Sequence, residues 1–150
     1  MSETKPAKKG STRSAAREVA MQALYQWLQA DTEAGELVSQ FQRSGLLQNV
    51  DSKYFRELVH GVIEGADGLA FEIAEILDRD ITQLDPVERA VLLMAVFEFR
   101  DRIEVPYRVV INEAVELTKR FGGQDSHRYI NGVLDKAARR LRTTETGAKA

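Results

Sequence analysis

A chain of 150 residues, 43% hydrophobic and 29% charged, has the length for one domain around a single core, and with no cysteine it can form neither disulfides nor thiolate metal sites. No apolar run approaches the roughly 20 residues that cross a bilayer, and the polar, lysine-bearing residues 1–12 have no apolar segment behind them. A cytoplasmic protein is therefore expected. Net charge is only −2, which alone argues against a polyanion partner, but its distribution argues otherwise. Residues 1–20 hold five Lys/Arg against two Asp/Glu, residues 21–118 eight against eighteen, and residues 119–150 eight against three. Basic ends around an acidic middle suggest a nucleic-acid contact plus a separate protein surface.

In chain order, residues 1–12 are poor in apolar side chains and read as a mobile basic arm. A helix is predicted from Ala15, with Val19, Ala20, Ala23, Leu24, Trp27 and Leu28 on one face. A shorter helix around Leu37, Val38 and Phe41 is stopped by Ser44-Gly45. Asp51 is a helix cap for Tyr54, Phe55, Leu58, Val59, Val62 and Ile63, and Gly65 and Gly68 are expected to break or bend this run before a further segment with Leu69, Ile73, Ile76 and Leu77. Asp85-Pro86-Val87-Glu88 has the residues of a capping box with proline at the first helical position, and it opens the most apolar helix, through Phe97. After Val105-Pro106 comes a helix with Val110, Ala114, Leu117 and Phe121, ended by Gly122-Gly123. Asp125-Ser126 is expected to cap the last helix, with Ile130, Val133, Leu134, Ala137 and Leu141 inward, and residues 143–150 read as a disordered tail. With no period-2 strand pattern, the fold class is all-α, about seven helices around one core.

Catalytic chemistry finds little support. His60 and His127 lack metal-ligand spacing, Gly122-Gly123 is followed by no G-K-[S/T], and the carboxylates alternate with Lys and Arg on helix faces. No catalytic residue, metal ligand or cofactor is assigned, and the chain does not read as an enzyme. Two groups can carry binding. Arg13 and Arg17 are four apart, share a helix face, and oppose the dipole at a helix start, which asks for another reason for their presence; Tyr25 lies two turns on and offers a stacking ring. Lys119, Arg120, Asp125, Ser126, Arg128 and Tyr129 straddle the glycine turn, where free N–H groups of a helix start and a half-exposed ring suit unpaired RNA. Asn112 and Asn131, poor helix formers, are expected to make internal hydrogen bonds that fix helix packing.

Two blocks are more specific. Pro106-Tyr107-Arg108-Val109-Val110-Ile111-Asn112-Glu113-Ala114-Val115-Glu116-Leu117, followed by Lys119, Phe121-Gly122 and Asp125-Ser126-His127, together with Tyr129-Ile130-Asn131-Gly132-Val133-Leu134-Asp135, resembles the NusB family. Arg17 to Tyr25, Tyr54-Phe55 and Val87-Glu88-Arg89-Ala90-Val91-Leu92 agree, so the similarity spans about residues 13–142. The resemblance implies a compact seven-helix, two-lobed bundle over 13–142 that binds RNA, flanked by the arm (1–12) and the tail (143–150). It implies an antitermination factor that binds boxA single-stranded RNA with NusE, a small-subunit ribosomal protein, and helps RNA polymerase read through terminators on ribosomal RNA operons. An arginine-rich RNA-contacting segment matches Arg13 and Arg17, the aspartate before the last helix matches Asp125, and its neighbouring aromatic matches Tyr129. Residues near the NusE contact match Tyr25 and Glu88, and an acidic middle suits a basic ribosomal protein. Two other readings are weighed: a ribosomal RNA methyltransferase with a NusB-like front domain, disfavoured by a chain ending at Ala150, and a protein-interaction module without RNA contact.

Overall fold

A computed structural model describes residues 9–148, with side chains from residue 12. Among the described residues the chain forms seven α-helices and no strand: α1 (Lys9–Ala30), α2 (Ala34–Arg43), α3 (Ser52–Ile73), α4 (Pro86–Asp101), α5 (Tyr107–Phe121), α6 (Ser126–Leu141) and α7 (Thr143–Thr146), with one 3-10 turn at Ile81–Gln83. Two lobes share α4. It packs on α1 and α3 on one side and on α5 and α6 on the other, while α2 closes over α1 and α3.

That position follows from composition. From Ala90 to Phe99 every residue of α4 is buried, so the helix has no polar face to give to water. Its start is well fixed. The Asp85 carboxylate accepts from the Glu88 N–H at 2.9 Å and Glu88 reaches back to the Asp85 N–H at 3.4 Å, as the sequence predicts. The Asp51 cap of α3 is also as expected, accepting from the Tyr54 N–H at 2.9 Å.

Several expectations need correction. α1 begins at Lys9, six residues before Ala15, so residues 9–12 are helical; the remainder of the expected arm, residues 1–8, lies outside the described residues. Gly65 and Gly68 do not break α3, which runs unbroken to Ile73. A Cβ on either would lie about 3.4–3.5 Å from the Arg100 guanidinium, so these glycines leave room for that side chain. At Gly61 the approach is closer: a Cβ would fall 2.1 Å from the Phe97 ring, and the bare backbone lets α4 press into α3. The count of seven helices is therefore reached by one long α3 and a short α7, not by two helices between Asp51 and Leu77.

The expected tail is the largest departure. Arg142 is buried, and its guanidinium donates to the carbonyls of Phe99 at 2.7 Å, Val105 at 2.8 Å, and Glu98 and Arg102 at 3.0 Å. These include the orphan acceptors at the end of α4, which also attract positive charge through the helix dipole. Glu145 of α7 pairs with Arg142 and accepts from the Tyr107 N–H at 3.1 Å, capping α5. That backbone bond, and Arg142 behind it, hold the Glu145 carboxyl below its ordinary range. Arg142 and Glu145 thus clasp the ends of two other helices, α4 and α5.

The core also holds a charge pair. Arg17 donates from Nε and Nη2 to both oxygens of Glu98 at 2.9–3.1 Å, with both side chains 3% exposed or less. The Tyr54 hydroxyl donates to the same carboxylate, and Glu113 approaches Arg17 at 3.3 Å while accepting from Ser14. Burial works against the Arg17 charge, but the hydrogen bonds and charge of Glu98, followed by Tyr54 and Glu113, leave it above its ordinary value. Burial and the neighbouring carboxylate push the Tyr54 hydroxyl up, so it stays a donor. One network thereby joins α1, α3, α4 and α5.

Glu98→Ala should cost about 3–5 kcal/mol in urea denaturation, because it strands a buried guanidinium. Asp101→Ala, which breaks the exposed Arg100–Asp101 pair, should cost about 1 kcal/mol or less.

Candidate nucleic-acid and protein interface

Arg13 and Arg17 do share a face of α1, as their spacing requires, but that face looks inward. Both guanidinium groups lie over the Tyr54 ring, at 4.2 and 5.4 Å from its centre. Arg17, 2% exposed and held by two carboxylates, is turned into the core, and this position gives no support to the expectation that it grips RNA. Arg13 keeps a quarter of its side chain exposed, 4.0 Å from Asp51. Its open side borders a groove of about 340 Å³ formed with Val105, Pro106 and Val109 at the start of α5. Tyr25 is 41% exposed, so it does not lie on the same face as Arg17.

The second group sits at the far end of α5. Helix α5 stops because Gly122 turns away, its N–H donating to the Thr118 carbonyl at 2.8 Å; a Cβ there would fall 2.7 Å from that same oxygen. Asp125 then takes a left-handed conformation, φ 64°, and its side chain makes no capping hydrogen bond, contrary to the expected cap. It faces Arg128 at 3.8 Å instead. The N–H groups of Ser126 and Arg128 are engaged by the carbonyls of Gly123 and Asp125, so the free donors expected at this helix start are partly taken. Arg128 is 80% exposed, and Lys119 is half exposed beside Glu116 at 3.5 Å. Arg120 pairs with Glu18 and ties this end of α5 to α1.

Tyr129 is half-buried. Its hydroxyl donates to Asp78 at 3.0 Å, and the Arg79 guanidinium lies 5.3 Å from its ring centre. Asp78 holds Arg79 through two hydrogen bonds at 2.9 and 3.1 Å. Those bonds first, and the Tyr129 hydroxyl second, keep the Asp78 carboxyl below its ordinary range, while burial and Asp78 raise the Tyr129 hydroxyl. The ring is therefore fixed at its hydroxyl, and Arg79 offers a cation beside it. Sequence reading missed Asp78 and Arg79, adjacent charges in an irregular connection with no period to mark them.

Ser126 is buried against Glu88, whose carboxyl burial and the adjacent Asp85 push up, with the Ser126 hydroxyl opposing. Asn112 and Asn131 are exposed and make no hydrogen bond among the described residues, so they do not fix helix packing. The basic residues thus form two patches at opposite ends of α5, a helix of 15 residues. They are separated by on the order of 20 Å at 1.5 Å per residue, and do not make one continuous platform. Among the described residues no helix is long and apolar enough to cross a membrane, and no cluster is suited to a metal ion.

The raised Glu88 carboxyl has a consequence for stability. A carboxyl whose folded pKa exceeds its unfolded value binds more protons when native, so stability falls as pH rises from the ordinary glutamate value of 4.5 through the folded value. Glu88→Gln, which can still complete the capping box, should flatten that slope in urea titrations across this window.

The model of the NusB family matches residues 14–139. A transcription antitermination protein NusB from Paraburkholderia phymatum is 49% identical over 140 residues, covering 93% of this chain and 97% of the relative. The NusB of Burkholderia vietnamiensis is 50% identical over 141 residues, covering 94% and 97%. Among solved structures, NusB of T. maritima superposes with a TM-score of 0.77 at 26% identity, covering 90% of this chain and 96% of that one. A chain from a crystal structure of the antitermination factors NusB and NusE in complex with double-stranded RNA gives 0.73 at 26% identity, covering 87% and 98%.

Proposed function

The chain belongs to the NusB family, and from that premise we propose that it is a cytoplasmic transcription antitermination factor, binding boxA single-stranded RNA together with NusE and promoting RNA polymerase read-through on ribosomal RNA operons. It works by binding, not by catalysis, and needs no cofactor. The observation that carries the reading is the set at the α5–α6 turn, Lys119 and Arg128 reaching solvent beside the half-buried Tyr129, in a chain whose solved relative is described in complex with NusE and RNA.

Tyr129 presents its ring to an unpaired base while Asp78 holds the hydroxyl. Lys119 and Arg128 follow the phosphates, and Asp125, in its left-handed turn, offers a carboxylate to a base edge. Arg13, at the other end of α5, extends the track for a strand long enough to reach it. Ser126 acts indirectly, through Glu88. Tyr25 and Glu88 belong to the NusE surface, where the acidic middle of the chain favours a basic partner. The relative's RNA is a duplex; stacking on Tyr129 requires an unpaired base, so single strands should bind this chain more tightly.

Titration of single-stranded boxA, scrambled and duplex RNA, with and without NusE at two salt concentrations, tests the reading. Affinity for boxA should rise with NusE and fall with salt, at a log–log slope of about −0.7 per phosphate neutralised. Tyr129→Ala should cost about 1–3 kcal/mol of binding with the fold intact. Affinity indifferent to NusE would refute joint binding, and an unchanged affinity in Tyr129→Ala would refute stacking. Tight NusE binding without any RNA binding at low salt would select the protein-interaction module instead.

A further inference from the structure

Phe71 is 81% exposed near the end of α3, on the side away from the core residues Leu69 and Ile73. It forms one wall of a groove of about 490 Å³ between α3 and the 77–81 connection, floored by Ala70, Leu77 and Ile81. The rim carries Asp67, Asp78 and Asp80 against one cation, Arg79, whose charge Asp78 already meets at 2.9 Å. Asp80 is turned to the Thr82 N–H and hydroxyl, and Asp67 has no partner among the described residues. Beyond the rim α3 adds Glu64, 72% exposed beside His60 at 3.4 Å, and the adjoining Glu75 is 89% exposed, 3.9 Å from Arg140.

An apolar slot with a negative rim repels phosphate and selects against nucleic acid. Its complement is a polypeptide with Lys or Arg on both sides of one apolar side chain, the basic groups meeting the aspartates while the apolar one fills the slot beside Phe71. We propose that this groove is a docking site for such a basic, apolar-anchored segment of a partner protein, distinct from the residues assigned above to RNA. It adjoins them through Asp78 and Arg79, so an occupant would sit beside Tyr129 without covering Lys119 or Arg128.

The probe is a short fluorescein-labelled peptide of alternating Lys and Ser with one central Leu, measured by anisotropy on the full chain and mapped by amide NMR shifts. Controls replace Lys by Glu, or Leu by Ser. The Lys–Leu peptide should shift amides of residues 67–81, and the Glu peptide should not bind. Losing the central Leu, or the substitutions Phe71→Ser and Asp67→Lys, should each weaken binding by about tenfold, the scale of one interface anchor. Phe71→Leu, which keeps an apolar wall, should retain most of the affinity, and all variants should keep wild-type circular dichroism. The affinity of Phe71→Ser for boxA RNA should equal that of the unmodified chain, which separates this site from the RNA reading. Peptide binding indifferent to Phe71 and Asp67, or mapping elsewhere, would overturn the proposal. So would Phe71-dependent self-association in sedimentation, which would make a second copy the occupant, or a loss of RNA affinity in Phe71→Ser.

Discussion

Burying the Arg17 guanidinium obliges the surrounding helices to supply its counter-charge, and much of the architecture follows from that. A desolvated cation is tolerable only when paired and fully hydrogen-bonded. Here Glu98 of α4 supplies both oxygens, Glu113 of α5 a further one, and the Tyr54 ring of α3 a face. Four helices from both lobes therefore meet at one side chain. The same demand removes Arg17 from the surface, so of the two arginines in this stretch only Arg13 retains exposure.

Charge is otherwise distributed by helix ends. Arg142 closes the end of α4 and Glu145 the start of α5, each placed where the helix dipole favours its sign. The basic residues Lys119 and Arg128 flank a turn, where backbone geometry departs from the helix. Gly122 turns tightly and Asp125 adopts positive φ, which directs the start of α6 so that Tyr129 meets the 78–79 connection. The ring held there has the Arg79 guanidinium 5.3 Å from its centre. Acidic residues flanking that connection set a boundary between a face suited to phosphate and one suited to basic protein.

Local signals were the legible part of the fold. The Asp51 cap, the Asp85–Glu88 box and the apolar periodicity of α5 through Leu117 and of α6 through Ala137 act within a turn or two of chain and are found as read, whereas Phe121 at the end of α5 is exposed and Leu141 at the end of α6 is half-buried. Features that depend on distant partners were not legible. Arg17 looked like a surface arginine because Glu98, its counter-charge, is 81 residues away. Glu145 looked like part of a solvated tail because the donor it meets, the Tyr107 N–H, is a helix start 38 residues away, and the role of Arg142 was not legible because its acceptors end a distant helix. Gly65 and Gly68 suggested a break because their role, making room for Arg100, belongs to tertiary packing. In the candidate site, spacing could suggest the Lys119–Tyr129 cluster but not the Asp78–Arg79 pair behind it. Asn112 and Asn131 misled in the opposite direction: their low helix propensity suggested an internal bond, yet both face solvent.

The central claim is that Arg17 serves the core, while RNA affinity resides in exposed residues at the ends of α5. It is tested most directly by making the core pair neutral on both sides, Arg17→Met with Glu98→Gln, which keeps an acceptor for the Tyr54 hydroxyl. Single-stranded boxA affinity of this folded double variant should stay within about twofold of the unmodified chain, well under the tenfold that corresponds to 1.4 kcal/mol. A folded double variant that loses about tenfold or more would show that Arg17 contacts RNA after all, and would contradict the account.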